Sequence, residues 1–192
     1  MDLVFATNNN HKLIEARQVL GGNHKILSLN DINCDIEIPE DFDTLEANAT
    51  QKAQFIHNKF GLNCFADDTG LEVYALNMKP GVFSARYAGI DCNSQNNIKK
   101  LLQELKSSNN RKARFRTIIT LILEKEILSF EGIVNGKIIE EFRGKEGFGY
   151  DPVFIPEGYN QTFAEMPPSL KNNISHRANA LNKLSKFLSL HY

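Results

Sequence analysis

The chain has 192 residues, and 42% of them are hydrophobic, so it is long enough for one domain with a buried core. Its net charge of −1 argues against the basic surface of a nucleic-acid-binding protein, and no apolar run approaches the roughly 20 residues of a membrane span. Three cysteines without metal-ligand spacing argue against a structural zinc site and a disulfide framework. We therefore expect a cytoplasmic protein without a signal peptide, with a small molecule or a protein as its partner rather than nucleic acid or a membrane.

The first third of the chain alternates between predicted strands and helices. Leu3–Ala6 is a short apolar run typical of a buried strand, and the helix after the following polar turn ends near Leu20. Lys25–Leu29 predicts a second strand. Asp43 with a glutamate three residues later matches a capping pattern, which opens a helix that ends near Phe60.

The next apolar run, Asn63–Ala66, predicts a strand that ends at Asp67 and Asp68, and Leu71–Ala75 predicts another. The later predicted elements are a helix at Asn96–Leu105, a long strand at Ala113–Leu123, hairpin strands at Ile127–Val134 and Lys137–Phe142 around Asn135 and Gly136, a strand at Tyr150–Ile155 and a helix at Ser175–Leu190. This order predicts an α/β fold in which helices flank a mixed sheet, in one domain over residues 1–192.

Four polar clusters carry residues suited to nucleotide chemistry, and the first is the turn from Thr7 to Lys12. The turn leaves a strand and opens a helix, and free backbone N–H groups at a helix N-terminus bind phosphate. Lys12 in the first helical turn opposes the helix dipole unless an anion offsets it. The alternative is an ordinary asparagine-rich helix cap with a solvated lysine.

The acidic pair is the second cluster. Neighbouring carboxylates on a strand point to opposite sides, so one of Asp67 and Asp68 can face a site while the other anchors the loop. A carboxylate that faces phosphates would bind Mg²⁺ or activate a water molecule, and one acid of Glu37–Asp43 could complete the metal site. The alternatives are a polar turn closed by Thr69 and Gly70, and an acidic run that is merely solvated.

The third and fourth clusters offer aromatic rings and cations. Gly144–Asp151 places three glycines beside Phe148 and Tyr150, either of which could stack on a nucleotide base. His176 and Arg177 stand in the first turn of the last helix, where the arginine donors would favour a keto oxygen over an exocyclic amine. The alternatives are a hairpin loop with a core aromatic residue, and a solvated helix start.

In this order the clusters resemble the inosine triphosphate pyrophosphatase family, also called the Ham1-like family. The matching runs are Ala6–Lys12, Ala66–Leu71, Pro80–Gly89, Gly147–Pro152 and Ile174–Arg177. Any one of these runs alone is a weak signal. All five in order, spread over nearly the whole chain, make the resemblance specific.

The resemblance implies an elongated α/β fold with a long mixed sheet, two lobes with an active-site cleft between them, and a homodimer. It implies Mg²⁺-dependent hydrolysis of a nucleoside triphosphate to the monophosphate and pyrophosphate, by attack of water on the α-phosphorus. The implied substrates are ITP, dITP and XTP, whose bases arise by purine deamination. The implied cellular role is cleansing of the nucleotide pool.

The resemblance also implies roles for individual residues. Asp68 would be the catalytic base and a metal ligand, Glu40 the second Mg²⁺ ligand, and Lys12 the charge partner of the triphosphate. The implied substrate-binding residues are Thr7, Asn8, Asn9, Asn10, His11, Lys12, Thr69, Phe148, Gly149, Tyr150, Asp151, Lys171, His176 and Arg177.

Within that set, Phe148 would stack on the base, while His176 and Arg177 would read its keto edge. The sequence departs from the family pattern at two positions. Asn8 stands where many members have glycine, and Ala47 stands where the family often has a second glutamate.

Two other functions compete with this interpretation. A Maf-type house-cleaning pyrophosphatase would prefer other nucleotides, and the Ser175–Arg177 run argues against it. A non-catalytic nucleotide- or RNA-binding module is disfavoured by the acidic pair and the acidic Glu37–Asp43 run, which would repel phosphates in the absence of a metal. A structural protein fits least, because polar clusters occupy four element ends at once.

Overall fold

Seven strands and five α-helices make up the regular structure of the computed structural model, which describes all 192 residues. The strands are β1 Asp2–Phe5, β2 Lys25–Leu27, β3 Cys64–Val73, β4 Pro80–Gly81, β5 Lys112–Leu123, β6 Glu126–Ile138 and β7 Phe154–Pro156. The helices are α1 Asn10–Leu20, α2 Leu45–Phe60, α3 Ser94–Glu104, α4 Pro168–Ile174 and α5 His176–His191. None of these helices combines the length and the hydropathy that a bilayer span requires.

The strands form one mixed sheet in the order β2-β1-β3-β5-β6-β7, with β4 paired to β3. Strand β1 runs parallel to both β2 and β3, whereas β4 is antiparallel to β3 and β7 is antiparallel to β6. The predicted α/β fold with helices flanking a mixed sheet is therefore confirmed.

The chain forms two compact units, and strands β3, β5 and β6 contribute residues to both. The first unit comprises Met1–Asp68, Thr117–Gly132 and Arg177–Tyr192, and the second comprises Thr69–Arg116 and Ile133–His176. The cleft expected between two lobes stays a prediction.

The core of the first unit forms around two stacked rings, Phe5 on β1 and Phe65 on β3, whose centroids lie 4.4 Å apart. Helices α1 and α5 bury their apolar faces in this core, for example with Leu13 and Leu184. The burial of these side chains is the main force that fixes both helices on the sheet. The N-terminus of α1, which carries the first polar cluster, is thereby held in place.

The core of the second unit forms around Phe115 on β5, whose ring centroid lies 4.7 Å from that of Phe154. Phe163 is buried in the same cluster, and so is Leu101, which belongs to α3. Tyr150 of the glycine-rich loop Gly144–Asp151 is buried in this core, and Leu170 of α4 packs against it. The loop and α4 carry predicted base-binding residues.

Strand β3 is longer than predicted. The sequence predicts one strand that ends at Asp67 and Asp68 and another at Leu71–Ala75, yet a single strand continues to Val73, so both aspartates lie inside it. The continuation is held by β4, which pairs with Leu71 and its neighbour, and by the hydroxyl of Ser84, which accepts the N–H of Leu71 at 2.8 Å. These partners come from distant sequence, and local turn signals do not reveal them.

The predicted hairpin turn at Asn135 and Gly136 is wrong. Strand β6 passes straight through both residues, and Gly136 pairs with Pro156 of β7. A side chain at Gly136 would place its Cβ 2.3 Å from the carbonyl oxygen of Ile155. The glycine therefore serves the close approach of β7, and the chain reverses instead between β5 and β6, where Glu124 has a positive φ of 53°.

Three smaller boundaries also differ from the predictions. The cap of α2 is Thr44, whose side chain accepts the N–H of Ala47, and not Asp43. The predicted strand at Tyr150–Ile155 begins as a single 3₁₀ turn, because Pro152 within it removes a ladder donor. Helix α4 lies in a stretch for which the sequence predicts no element, and α5 begins at His176.

Candidate active site

The turn that opens α1 is ordered by its own side chains. Asn9 is the helix cap, and its Oδ1 accepts the N–H groups of His11 and Lys12 at 2.9 and 3.2 Å. The hydroxyl of Thr7 accepts the N–H of Asn9 at 3.1 Å. Asn8, Asn10 and His11 are exposed. The amide donors of Asn9, His11 and Lys12 are thus already taken within the turn, so the attraction of this helix start for an anion comes from the helix dipole and from Lys12.

Lys12 extends from this turn to the acidic pair. Its Nζ lies 2.9 Å from Oδ1 of Asp67, and its side chain is 15% exposed. Burial lowers the pKa of Lys12 below the ordinary value, and the nearby carboxylate of Asp67 offsets only part of that effect. Lys12 is therefore a largely desolvated cation that needs a nearby anion.

Asp67 is the structural member of the acidic pair. It is 1% exposed, and its Oδ2 accepts a hydrogen bond from Nε of Arg177 at 3.0 Å, while Oδ1 accepts from Lys12. Burial would raise the pKa of Asp67, but Lys12 and Arg177 outweigh burial and hold that pKa well below its usual range. Asp67 is accordingly an ionised anchor between two cations.

Arg177 is buried, with 2% of its side chain exposed, and it lies between two carboxylates. Besides Asp67, its Nη1 lies 2.5 Å from Oε2 of Glu15 on α1. Sequence analysis missed Glu15. The only available signal was its position three residues after Lys12, which places both on one face of α1.

Asp68 faces the other side of β3. It is 8% exposed and accepts a hydrogen bond from Nδ2 of Asn48 at 3.3 Å. Burial raises the pKa of Asp68, Lys52 and Lys12 oppose that rise, and the carboxylate of Glu40 adds to it. A carboxyl with a raised pKa beside a second carboxylate is a candidate for proton transfer or metal binding.

Glu40 and Lys52 complete the surroundings of Asp68. Nζ of Lys52 forms an ion pair with Oε1 of Glu40, and the lysine is buried while the glutamate is 39% exposed. Burial alone would lower the pKa of Lys52, but Asp68 and Glu40 raise it above the ordinary value. Sequence analysis missed Lys52, because a lysine in a helix is usually solvated, and its partner Glu40 lies outside α2.

The first unit therefore offers a divalent cation two carboxylates, on Asp68 and Glu40. No group of three or more acidic, histidine or cysteine side chains is arranged to hold a metal by itself. Magnesium commonly takes one or two carboxylates, with water and substrate phosphates as its other ligands. The buried carboxylate of Asp68 and the partly exposed one of Glu40 match that donor set, so these residues fit a divalent cation that binds together with phosphates.

The predicted base-binding residues of the second unit gather around Asp151. Oδ2 of Asp151 accepts the N–H of Phe148 at 2.8 Å and Nζ of Lys171 at 2.7 Å. Nζ of Lys171 also lies 4.7 Å from the ring centroid of Phe148. Gly147 has a positive φ of 76°, and a Cβ there would lie 2.1 Å from the Asp151 carboxylate. The loop is thus folded tightly around a buried ion pair.

Three further predicted residues of the second unit have other surroundings. Tyr150 is buried, and its hydroxyl donates to the carbonyl of Ser84 at 2.9 Å. The ring of His176 is stacked on Phe115, with centroids 4.6 Å apart. Thr69 is half-buried on β3. Tyr150 therefore ties the glycine-rich loop to the Pro80–Gly89 segment, and the proposed stacking role falls to Phe148, which is half-buried.

The predicted site residues thus fall into two groups. The group in the first unit joins the turn at 7–12 with Glu40, Asp67, Asp68 and Arg177, and it gains Glu15, Asn48 and Lys52 from the structure. The group in the second unit joins Phe148, Gly149, Tyr150, Asp151 and Lys171, with Thr69 and His176 in the same unit.

Comparisons with known proteins agree on one family. The model of the Ham1 family matches residues 3–187. A dITP/XTP pyrophosphatase of Flavobacterium johnsoniae is 51% identical over 189 residues, covering 98% of each chain. One from Porphyromonas gingivalis is 55% identical over 187 residues, covering 97% of this chain and 96% of the relative.

Solved structures give the same result. The Ham1 protein of Staphylococcus aureus superposes with a TM-score of 0.92 at 35% identity and covers 100% of both chains. A HAM1 protein from Coxiella burnetii has a TM-score of 0.92 at 38% identity and covers 99% of both chains.

Proposed function

The chain belongs to the Ham1 family, and from this premise we propose that it hydrolyses the nucleoside triphosphates ITP, dITP and XTP to the monophosphate and pyrophosphate. Relatives of about half identity over nearly the full chain are named dITP/XTP pyrophosphatases. Removal of these deaminated purine nucleotides would cleanse the nucleotide pool. On the family resemblance alone, we also propose a cytoplasmic homodimer.

The observation that carries the proposal is the environment of Asp68. A buried carboxyl with a raised pKa stands next to Glu40, Lys52 and Lys12, so a base, a second acid and two cations are close together. General bases work best when their pKa lies near the working pH, and a raised carboxyl pKa moves toward that condition. The cations supply the positive charge that a polyphosphate needs.

In the proposed mechanism, the Lys12 ammonium binds the phosphate chain, with the positive end of the α1 helix dipole and the polar side chains of the turn at 7–12 in support. Asp68 accepts the proton of a water molecule that attacks the α-phosphorus, and pyrophosphate leaves. Glu40 and Asp68 would hold Mg²⁺, which would neutralise phosphate charge when bound. Lys52 holds Glu40 in place and adds positive charge near Asp68. Catalysis is then mainly positioning and charge neutralisation.

We propose that Phe148 stacks on the purine, with Lys171 held beside it by Asp151. The ring of Phe148 is half-buried, so part of it is accessible to a nucleotide base. Stacking on an aromatic ring accepts any purine. The ammonium of Lys171 is a donor without acceptor capacity, so it suits a keto oxygen better than an amine. This gives a physical basis for a preference for 6-oxopurines over adenine.

The experiment that tests this proposal is turnover of dITP, XTP, dATP and dGTP with and without Mg²⁺, with pyrophosphate and orthophosphate resolved. We expect metal-dependent release of pyrophosphate from dITP and XTP and little from dATP, whose base has an amine in place of the 6-keto oxygen. Guanine also carries a 6-keto oxygen, so the expectation of little release from dGTP rests on the family resemblance and not on the keto contact. Release of orthophosphate, or equal rates on all four nucleotides, would indicate a general phosphohydrolase. Binding of nucleotides in Mg²⁺ without turnover would indicate the non-catalytic module.

A further inference from the structure

Four charged groups, two of them buried and two half-buried, alternate in sign across the first unit. Lys12 contacts Asp67 at 2.9 Å, Asp67 contacts Arg177 at 3.0 Å, and Arg177 contacts Glu15 at 2.5 Å. The side chains are between 1% and 15% exposed. We call this run of contacts the charge chain.

The charge chain begins and ends on the same helix. Lys12 and Glu15 both belong to α1, three residues apart, while Asp67 is on β3 and Arg177 is at the start of α5. Because residues three apart on a helix lie on one face, the two ends of the chain point toward the same buried region. The Lys12 ammonium contacts Asp67 directly and is connected to Glu15 only through Asp67 and Arg177.

The carboxylate of Asp67 accepts hydrogen bonds from two cations, Lys12 and Arg177. Lys12 and Arg177 each take a different oxygen of its carboxylate, and their positive charges repel each other. Glu15 offsets the charge of Arg177 and accepts one of its donors. Without Glu15, the Arg177 guanidinium would draw on both oxygens of Asp67, because a guanidinium readily binds a carboxylate bidentately. Lys12 would then lose its hydrogen bond to Oδ1 of Asp67.

We propose that Glu15 is a positioning residue for the phosphate-binding lysine and that it acts through Arg177 and Asp67 in the charge chain. Glu15 holds Arg177, so that Oδ1 of Asp67 is left to Lys12. This inference rests on the proposed function, since it assumes that Lys12 binds phosphate.

The test compares Glu15→Gln with the wild type at a temperature well below the unfolding of both. The readouts are KM and kcat for dITP, and the affinity for inorganic pyrophosphate measured by calorimetry. We expect KM to rise and pyrophosphate affinity to fall by about tenfold or more, as expected for loss of a charge-assisted contact, with kcat less affected. Wild-type values of KM and affinity in Glu15→Gln would overturn the proposal.

A double-mutant cycle separates positioning from a general structural role. If Glu15 acts through Lys12, Glu15→Gln will change kcat/KM little in a Lys12→Met background. An undiminished effect in that background would overturn the proposal. Arg17→Gln is the matched control on α1, because it removes an exposed ion pair with Asp31 at 3.2 Å, and we expect wild-type kinetics.

If Glu15→Gln does not fold, Glu15→Asp keeps the charge but shortens the side chain, and unchanged pyrophosphate affinity in that variant would overturn the proposal. If the wild type turns over neither dITP nor XTP, the proposed function fails, and pyrophosphate affinity alone decides the role of Glu15. A wild type that does not bind pyrophosphate overturns the positioning role as well.

Discussion

At the scale of single residues, the two neighbouring aspartates of β3 have opposite electrostatic surroundings. Asp67 has two cationic partners and a pKa held low, whereas burial raises the pKa of Asp68. The same substitution should therefore affect mainly stability at Asp67 and mainly turnover at Asp68. Each variant serves as the control for the other.

Asp68→Asn should lose on the order of 10²-fold or more in turnover of dITP, as expected for loss of a general base. The fold should survive, because the buried carboxylate is penalised by its surroundings and the amide has the same shape. Steady-state kinetics and a circular dichroism spectrum measure both effects. Near-normal turnover would remove Asp68 from the roles of base and metal ligand.

Asp67→Asn should instead destabilise the protein by about 3–5 kcal/mol, the range seen when one partner of a buried ion pair is removed. The substitution leaves Lys12 and Arg177 buried without their shared carboxylate. Urea unfolding at neutral pH measures the change, with Asp68→Asn as the reference. Equal unfolding free energies for the two variants would contradict the anchoring role of Asp67.

The sequence predicts some residues of the site and not others for a physical reason. Lys12 stands in the polar run that opens α1, and Asp67 and Asp68 form an acidic pair that interrupts an apolar run, so local patterns make all three visible. Glu15 and Lys52 lie inside helices, and their partners are far away in sequence or require the tertiary fold. A charged residue on a helix looks solvated until the fold buries it.

At the scale of elements, Gly136 tests how β6 and β7 pair. Gly136→Ala should destabilise the protein by about 1–3 kcal/mol, the usual cost of an overpacked position, because its Cβ would meet the Ile155 carbonyl. Gly22→Ala is the matched control, since nothing lies within 4 Å of a Cβ there. Thermal unfolding of both variants measures the difference. Equal midpoints would contradict the close approach.

The same glycine shows the limit of element prediction from sequence. An asparagine–glycine pair between apolar runs is a strong hairpin signal, and it predicted the wrong turn here. The signal reports that glycine is required, but not whether a turn or a neighbouring backbone requires it. Helices α1, α2 and α3 were predicted nearly residue by residue, because helical periodicity is a local property.

At the scale of the whole molecule, the α/β class followed from the alternation of elements, while the strand order did not. The sheet places β1 between β2 and β3 and continues to β5, β6 and β7. The long strands β5 and β6 contribute to both units, and no local signal marks where one unit passes into the other along them. Pairing over such distances depends on tertiary burial.

The stability of the whole molecule should also depend on pH through His24. This side chain is buried, and its Nδ1 has no hydrogen-bond partner. Burial, with a smaller contribution from the positive N-terminus, lowers the pKa of His24 below the ordinary value. Protonation would place an unsatisfied donor and a charge in a poorly solvated position, so the folded state favours the neutral ring.

The sign of the effect follows from linkage. Since the folded pKa lies below the unfolded value of about 6.5, the unfolded state binds more protons as the pH falls. The contribution of His24 is therefore fully present above that value and is lost as the pH falls through the folded pKa.

Urea unfolding between about pH 7.5 and pH 5 should show a shallower loss of stability in His24→Asn than in the wild type. His191→Asn, on the exposed last turn of α5, should follow the wild-type curve. Parallel curves for His24→Asn and the wild type would show that His24 does not contribute to the pH dependence.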